Sequence, residues 1–359
     1  MALHAFAADF HLNNFDEFKG REVAGVNDRA RLGLAVFEKF LGGGGVKHAH
    51  LLGDVFHHPY IYPQLMTALM EVISSAFEWG LESLDIILGN HDIIETTSQG
   101  NHCLGPLSML PGVTVHERPV VKRVGALDIF YVPFPYNILD YELKRAPDVA
   151  CMHAGIVHEG TSDFLKDSGI HKKKLQRWMG SHKKGDVRYL LAGDWHDHIP
   201  MPGGIYQVGC LVPHGWQDHG INRGHVITID DEVDRIHIRK EPGPRFVHAP
   251  TLKQAKKMAK ELLGEDCTPF VEIPRPTLED GSTDHEAELP VIEGAFFRWA
   301  PTKRRKDLAV AEAETAERVK EVRRSKKFNE YVEEYCREKY PTRWNKVVDH
   351  VFRFLDHER

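Results

Sequence analysis

The first part of the chain alternates short apolar runs with stretches of helical periodicity. The apolar runs, which predict three strands, are LHAFAA (3–8), HAHLLG (48–53) and LDIILG (84–89). Between them, Asn27 is the expected N-cap of one helix, the glycine run at 42–45 is its expected end, and Pro63 is the expected first residue of a second helix. Strand–helix–strand units of this kind predict a sheet with helices on its faces.

After residue 89 the pattern changes to strands that follow one another without intervening helices. The runs are VTVHE, VVKRV, LDIFYVPF, VACMH (149–153), RYLLAG (188–193), IYQVGC (205–210), HVITID (225–230) and RIHIRK (235–240). Strand–helix–strand units that give way to a strand-rich half favour an α/β fold with two packed sheets and helices outside.

The sequence pattern changes again at EPGPRFVHAP, residues 241–250, and we place a domain boundary there. A lysine-rich helix at 252–263 and the strand-like run FVEI predict a small α/β unit. From Pro301 the chain is helical and charged, and it ends in an apolar stripe from Trp344 to Leu355. The predicted domains are therefore residues 1–240, a capping domain at 241–300, and a helical segment at 301–359.

Composition narrows the class of protein. The apolar fraction of 42% and charged fraction of 27% are typical of a folded soluble chain. No apolar run approaches the ~18 residues that span a membrane, and the N-terminus lacks the basic region of a signal peptide. The five cysteines form no CxxC pair, so we expect reduced thiols and a cytoplasmic location. The net charge of −6 is uneven, since the tail from Lys303 holds 16 Lys/Arg against 12 Asp/Glu.

Five stretches place metal-binding side chains directly after an apolar strand. They are Asp9-Phe10-His11, Gly53-Asp54, Gly89-Asn90-His91-Asp92, His153, and Gly193-Asp194-Trp195-His196. Such side chains are costly to bury unless they are paired or hold a metal, and one loop rarely supplies enough ligands. In the first stretch, an extended backbone would direct Asp9 and His11 to the same side. The set therefore predicts a shared metal site, and two divalent ions ~3.5–4 Å apart suit phosphoryl chemistry.

The order D-x-H, G-D, G-N-H-D, a lone His and a stretch close to G-H-x-H is similar to the signature of the calcineurin-like metallophosphoesterases. The resemblance covers residues 1 to about 240. Within that superfamily, ADFHL, GDVFHHP, the small second domain and the basic tail resemble the SbcD-type nuclease subunit of double-strand-break repair complexes. The resemblance implies a four-layer αββα sandwich and a metal-dependent DNA exonuclease or endonuclease, that is, a phosphodiester hydrolase.

The same resemblance assigns roles to individual residues. The implied ligands are Asp9, His11 and His196 for one divalent ion, and Asn90, His153 and Asp194 for the other, with Asp54 bridging both. The implied metal is Mn²⁺, with Mg²⁺ as the alternative. His91 would be a proton donor or a phosphate contact, and His57 resembles a histidine that contacts the scissile phosphate.

This chain departs from the family at one ligand. Members of the family have the motif G-H-x-H, whereas this chain has Gly193-Asp194-Trp195-His196. An aspartate therefore occupies the position where a histidine is expected. A carboxylate is a competent ligand for hard divalent ions, which favours Asp194 as a ligand. In a second register, His196 and His198 would form the H-x-H pair. Trp195 is expected to be a packing residue.

Several other histidines have no assigned role. His214 and His219, in VPHGWQDHG, either line the groove or are ordinary polar residues. His48 and His50 are expected to be ordinary polar residues outside the site.

The resemblance also implies partners. They are DNA, a coiled-coil ATPase of the SbcC type and a second copy in a homodimer, with no membrane. The stripe from Trp344 to Leu355 would either hold the ATPase or pack back on the capping domain. Two rival functions stay open, namely a stand-alone phosphodiesterase or phosphatase for a nucleotide or phosphoprotein, and a non-catalytic interaction protein. Residues 251–359 count against the first, and the retained ligands count against the second.

Overall fold

Most elements of the computed structural model follow the apolar pattern, but the expectation of strands without intervening helices after residue 89 is wrong, because a helix at Lys172–Met179 interrupts the strand-rich half. It describes residues 2–94, 101–162, 165–218, 224–231, 236–265, 267–277, 283–284 and 287–300. The strands are β1 (Leu3–Ala7), β2 (Glu22–Val23), β3 (Val26–Asn27), β4 (Val46–Leu52), β5 (Ser83–Ile87), β6 (Val113–His116), β7 (Val120–Val124), β8 (Leu127–Val132), β9 (Val149–His153), β10 (Ile156–Val157), β11 (Ile170–His171), β12 (Tyr189–Gly193), β13 (Ile199–Met201), β14 (Ile205–Gln207), β15 (Gly224–Asp230), β16 (Ile236–Glu241), β17 (Pro244–His248), β18 (Thr268–Ile273) and β19 (Phe296–Trp299). The α-helices are α1 (Asp28–Gly42), α2 (Pro63–Glu78), α3 (Lys172–Met179) and α4 (Leu252–Gly264).

Two six-stranded mixed sheets form the body of the protein. The first has the order β16-β15-β1-β4-β5-β6, in which β1, β4, β5 and β6 are parallel. The second has the order β13-β14-β12-β9-β8-β7, in which β14, β12, β9 and β8 are parallel. The mixed α/β class predicted from the sequence is therefore confirmed.

The helices that connect strands of the first sheet begin where the sequence predicts, and the first of them also ends at the predicted glycine run. The Asn27 side chain accepts a hydrogen bond from the Ala30 N–H and so caps α1, which stops at the glycine run. Pro63 is the first residue of α2, where its missing N–H costs no hydrogen bond. Both helices bury their apolar faces, Phe37 and Leu69 among them, in a cluster shared with the first sheet.

A second apolar cluster lies between the two sheets. Phe6 and Ile87 of the first sheet pack in it with Ile129 and Leu191 of the second, and all four are fully buried. A third cluster joins the second sheet to α3, whose Trp178 donates from its indole nitrogen to the Tyr141 carbonyl at 2.8 Å. Together, the clusters fix the sheets against each other.

The predicted capping region forms a third sheet. Its three strands, β17, β18 and β19, are parallel, and α4 packs Ala255 and Ala259 against them. Strand β17 lies inside the stretch where we placed the domain boundary. Residues 1–299 fall in one compact unit, and the boundary at 240 stays a prediction.

The predicted helical segment at 301–359, with its stripe from Trp344 to Leu355, lies outside the described residues, as does His219. Within the described part of the chain, no helix combines the length and apolar character needed to cross a membrane.

A buried hydrogen-bonded chain of polar side chains runs between the sheets. His4, His50 and Tyr131 are fully buried, and burial lowers the pKa of His4 to about 4 and that of His50 well below its usual value. Because each neutral imidazole has one N–H, the bonds run in one direction. The Tyr131 hydroxyl donates to His50 Nδ1 at 2.8 Å, His50 Nε2 donates to His4 Nδ1 at 3.0 Å, and His4 Nε2 donates to Asp231 at 2.8 Å. Every ring nitrogen of His4 and His50 therefore has a hydrogen-bond partner.

These hydrogen bonds predict how the loss of stability caused by a substitution of His4 depends on pH. The unfolded state takes up a proton at His4 below about pH 6.5, whereas the folded state does not until about pH 4. The wild type therefore loses stability from this residue as the pH falls from 6.5 to 4. The free energy of unfolding lost in His4→Gln should be roughly 1–2 kcal/mol smaller at pH 5 than at pH 7.

Urea denaturation of both proteins at the two pH values measures this difference. An equal cost at pH 5 and pH 7 would contradict the assignment of a neutral His4.

Candidate metal centre

The five predicted ligand stretches all follow carboxyl ends of parallel strands. Those after β1, β4 and β5 lie on neighbouring strands of the first sheet, and those at the ends of β9 and β12 lie on neighbouring strands of the second. Carboxyl ends of parallel strands share one edge of a sheet, and ligands commonly bind outside that edge. The sheets therefore bring all five stretches to one place.

The carboxylate of Asp54 lies between two groups of ligands. Its Oδ1 is 3.4 Å from His153 Nε2, which is in turn 3.0 Å from Asn90 Oδ1 and 3.9 Å from Asp194 Oδ1. Its Oδ2 is 3.5 Å from His11 Nε2, which is 3.2 Å from His196 Nε2. The two carboxylate oxygens of Asp54 thus face different groups of predicted ligands.

Asp9 is also part of this cluster. It is fully buried, and both of its carboxylate oxygens accept from the Asp194 N–H, at 3.0 and 3.1 Å. Asp9, His11 and Asp54 offer ligand atoms that all lie within 4.8 Å of one another, close enough to hold an ion. These three residues all follow strands of the first sheet, and the Asp194 N–H connects the second sheet to them.

Two of the histidines are oriented by hydrogen bonds on their far nitrogens. His153 Nδ1 donates to the Leu52 carbonyl at 2.8 Å, and His196 Nδ1 donates to Asp218 at 2.7 Å. In each ring Nε2 is left facing the centre. Neighbours that hold a ligating imidazole in this way are typical of metal sites, since they set both the tautomer and the ring orientation.

The electrostatics of the centre suit a cation. Burial raises the pKa of Asp9 to about 7. Burial alone would lower the pKa of His153, but Asp54, Asp9 and Asp194 raise it to about 10. Burial likewise opposes charging of His196, whose hydrogen bond to Asp218 raises its pKa to about 9. The raised pKa values mean that protons on these three side chains balance the negative charge of the buried carboxylates. A bound cation would neutralise the same charge.

The backbone is strained at four of these residues. Asp9, His11, Asp54 and Asp194 have φ values of 51°, 47°, 50° and 85°, in the left-handed region that non-glycine residues seldom adopt. The extended backbone expected for Asp9-Phe10-His11 is therefore wrong. Both side chains reach the centre through tight turns, and a local cost of this kind persists where surrounding contacts hold it.

Two glycines let the sheets approach each other here. A Cβ on Gly53 would lie 2.2 Å from His153 Nδ1, and a Cβ on Gly193 would lie 2.4 Å from the Leu52 carbonyl oxygen. Contacts this short are not tolerated, so both positions require glycine. Gly53, directly after β4, and Gly193, the last residue of β12, therefore leave the space that the His153 ring occupies.

Buried Asp92 ties two ligand loops together. Its carboxylate accepts from the N–H groups of Gly89, Val55 and Phe56 at 2.9, 3.0 and 3.3 Å. Burial, together with the nearby charge of Asp54, raises the pKa of Asp92 to about 7. The last residue of the GNHD stretch therefore positions the loops that carry Asp54 and Asn90.

The geometry favours the first of the two registers proposed for residues 193–198. Asp194 faces His153, and its Oδ2 accepts from the Gly155 N–H at 3.0 Å. His198 instead donates to the Val208 carbonyl at 2.9 Å and stacks on His225, with ring centroids 4.5 Å apart. Trp195 lies against Gly155, where a Cβ would overlap its indole ring, so it packs as expected.

The two histidines predicted to contact substrate lie at the mouth of the centre. His91 Nδ1 donates to the His57 carbonyl at 2.8 Å, which leaves Nε2 4.0 Å from Asp54 Oδ2, and the side chain is 38% exposed. The His57 ring lies 5.4 Å from that of His11, and burial lowers its pKa to about 3. Its Nδ1 has no hydrogen-bond partner among the described residues.

Sequence reasoning left His214 open and missed Asp218. The His214 ring lies 4.5 Å from that of His11, and its Nδ1 is 3.1 Å from Asp218. His11, His196 and His214 form a second group able to hold an ion, and His11, His57 and His91 form a third. Asp218 follows no strand of the described chain directly, so the strand-end pattern could not find it.

Comparison with known proteins adds little to this geometry. No protein-family model matches the chain, and no curated protein does either. Among solved structures, the chain is similar to TT1561 of Thermus thermophilus, with a TM-score of 0.39, 12% identity, and coverage of 67% of this chain and 98% of that one. It is also similar to a hypothetical protein from Thermus thermophilus, with a TM-score of 0.36, 13% identity, and coverage of 67% and 100%.

Asp218→Asn should weaken metal binding. The substitution removes the carboxylate that orients His196 and His214, and loss of such a partner typically lowers metal affinity 10- to 100-fold. Asp197→Asn is the matched control, since it removes the same charge at an exposed position beside His196. Calorimetric titration with Mn²⁺ compares the two variants, and equal losses of affinity would mean that Asp218 acts only through its charge.

Proposed function

We propose that the chain is a phosphodiesterase that uses two divalent metal ions, Mn²⁺ or alternatively Mg²⁺, and that its substrate is DNA. The observation that carries the proposal is the position of Asp54, whose two oxygens face separate groups of ligands. A carboxylate placed in this way can bridge two cations. The proposal includes the four-layer sandwich of the calcineurin-like metallophosphoesterases, which two packed sheets with helices on the outer faces would suit.

The residues present fit two hard divalent ions. His11, His196 and Asp9 would hold one, and Asn90, His153 and Asp194 the other. Oxygen and imidazole ligands suit Mn²⁺, and the two aspartates beside Asp54 add the negative charge that hard cations prefer. When bound, such a pair neutralises charge on a phosphoryl group and lowers the pKa of a water molecule in the site.

The chain's own side chains supply orientation and a proton. Because His91 Nδ1 donates to the His57 carbonyl, Nε2 is the nitrogen left on the side of the centre, 4.0 Å from Asp54 Oδ2. In the imidazolium form this atom carries a proton that it can give to the leaving oxygen of a diester. The His57 ring, neutral because of its burial, lies close enough to His91 and His11 to contact the same phosphate.

The proposal extends to partners on sequence grounds. A nuclease of this type would act in double-strand-break repair or recombination with a coiled-coil ATPase, held by residues 301–359, and as a homodimer. These residues lie outside the described part of the chain, so this step rests on the basic, amphipathic sequence of the tail.

Hydrolysis assays test the proposal directly. We expect Mn²⁺-dependent cleavage of bis-p-nitrophenyl phosphate and of linear single- or double-stranded DNA. His91→Ala should retain its metal while activity falls roughly 100-fold or more, the scale for loss of an acid–base group. His237→Ala, at an exposed position on β16, should have no effect. Metal analysis that finds the ions lost from His91→Ala would make His91 a ligand and contradict its role.

Asp194→Ala and His198→Ala separate the two registers. Asp194→Ala should empty the metal position that it shares with Asn90 and His153, while the ion held by Asp9, His11 and His196 stays bound. His198→Ala should leave both positions filled, because its ring faces the Val208 carbonyl and His225. Metal content after dialysis measures the outcome. Loss of metal from the His198 variant alone would establish the alternative register.

A further inference from the structure

A basic groove lies outside the ligand set. It has a volume of about 370 Å³, within the size range of ligand sites, and its charged lining side chains are Lys166, Lys172, Lys173, Lys174, Arg177 and Glu159. With its histidines neutral, the lining has a net charge of +4, whereas the whole chain has −6. Glu159, the one acidic side chain in this lining, is already paired with Lys172 at 3.0 Å. The groove therefore presents a local positive field on an acidic protein.

Folding alone does not account for this charge. Lys172, Lys173 and Lys174 occupy the first turn of α3, which has no acidic residue. Positive side chains there face the positive end of the helix dipole and cost the helix stability. The second, third and sixth residues of α3 that line the groove, Lys173, Lys174 and Arg177, are all exposed. A cluster that opposes local stability is typical of a functional surface.

The groove is joined to the metal centre by two hydrogen bonds. Asp194 Oδ2 accepts from the Gly155 N–H at 3.0 Å, and the Gly155 carbonyl accepts from the Ile170 N–H at 2.8 Å. Residue 170 begins β11, which pairs with β10 and leads directly into α3. Val157, which lines the groove, is four residues after His153, so the two lie at most about 14 Å apart along the chain.

We infer that this groove binds backbone phosphates of a nucleic-acid strand whose scissile phosphate lies in the metal centre. The inference rests on the proposed function and deepens it, because it names where the substrate strand binds beyond the scissile phosphate. A separation of at most about 14 Å is spanned by no more than roughly four nucleotides at 3.4 Å of rise each. Lys173, Lys174 and Arg177 supply the charges, and contacts of this kind bind without reading sequence.

Lys173→Ala/Lys174→Ala tests the inference against Lys256→Ala/Lys260→Ala, which removes the same charge from exposed positions on α4. Binding of a fluorescent ten-nucleotide oligothymidylate is measured by anisotropy in EDTA over a series of salt concentrations. The α3 pair should lower affinity roughly tenfold and reduce the salt slope by about 1.4, the value for two phosphate contacts on a single strand. The α4 pair should change affinity less than twofold, and Lys173→Arg/Lys174→Arg should bind as the wild type does.

Equal losses from the α3 and α4 pairs would overturn the inference, since bulk charge would then explain binding. So would displacement of the oligonucleotide by an equal concentration of thymidine monophosphate, which would indicate a site for a free phosphate compound. Displacement by polyglutamate at equal charge would indicate a site for any polyanion and would overturn it as well. Hydrolysis of bis-p-nitrophenyl phosphate by the α3 variant should match the wild type. If the wild type itself fails to hydrolyse that diester, the proposed function fails while the binding result stands on its own.

Discussion

The carboxylate of Asp54 is the anion around which the candidate centre is organised. It is 2% exposed, and burial would by itself raise its pKa, yet the surrounding His153, His11 and His91 hold that pKa below its usual range. An ionised carboxylate at this depth requires positive charge within a few ångströms. The sheets can close over Asp54 only with protonated imidazoles or a bound cation beside it, so folding and ion binding share one requirement.

The neighbours of the ligands divide into those that set direction and those that set position. Asp218 and the Leu52 carbonyl turn His196 and His153 so that Nε2 of each ring faces the centre. Asp92 instead ties the backbones of two loops, and the Asp194 N–H holds Asp9 across the gap between the sheets. Ligand geometry therefore depends on main-chain contacts as much as on side chains, which explains why strained turns at the ligands are tolerated.

Sequence alone predicted the features that are local or repeated. Asn27 and Pro63 mark helix starts by rules that act within a few residues, and the five ligand stretches share a pattern of strand followed by polar side chains. Contacts between distant residues left no such signal. His50 and Tyr131 are 81 positions apart, and Asp218 meets His196 only after the chain returns to the site. The left-handed turns at Asp9 and His11 also went unpredicted, because no residue type demands them there.

Gly53 and Gly193 set the distance between the two sheets at the candidate centre. The nearest atom to a Cβ at Gly53 would be in the His153 ring, and the nearest atom to one at Gly193 would be the Leu52 carbonyl oxygen, so polar groups limit the approach first at both positions. Residues such as Phe6 and Leu191 can therefore change in size elsewhere in the interior without resetting the distance across which Asp54 and His153 meet. Substitutions in the core would then change the free energy of unfolding, while the distances between the ligands stay the same. The interior could therefore accept changes during evolution without loss of the geometry that the chemistry requires.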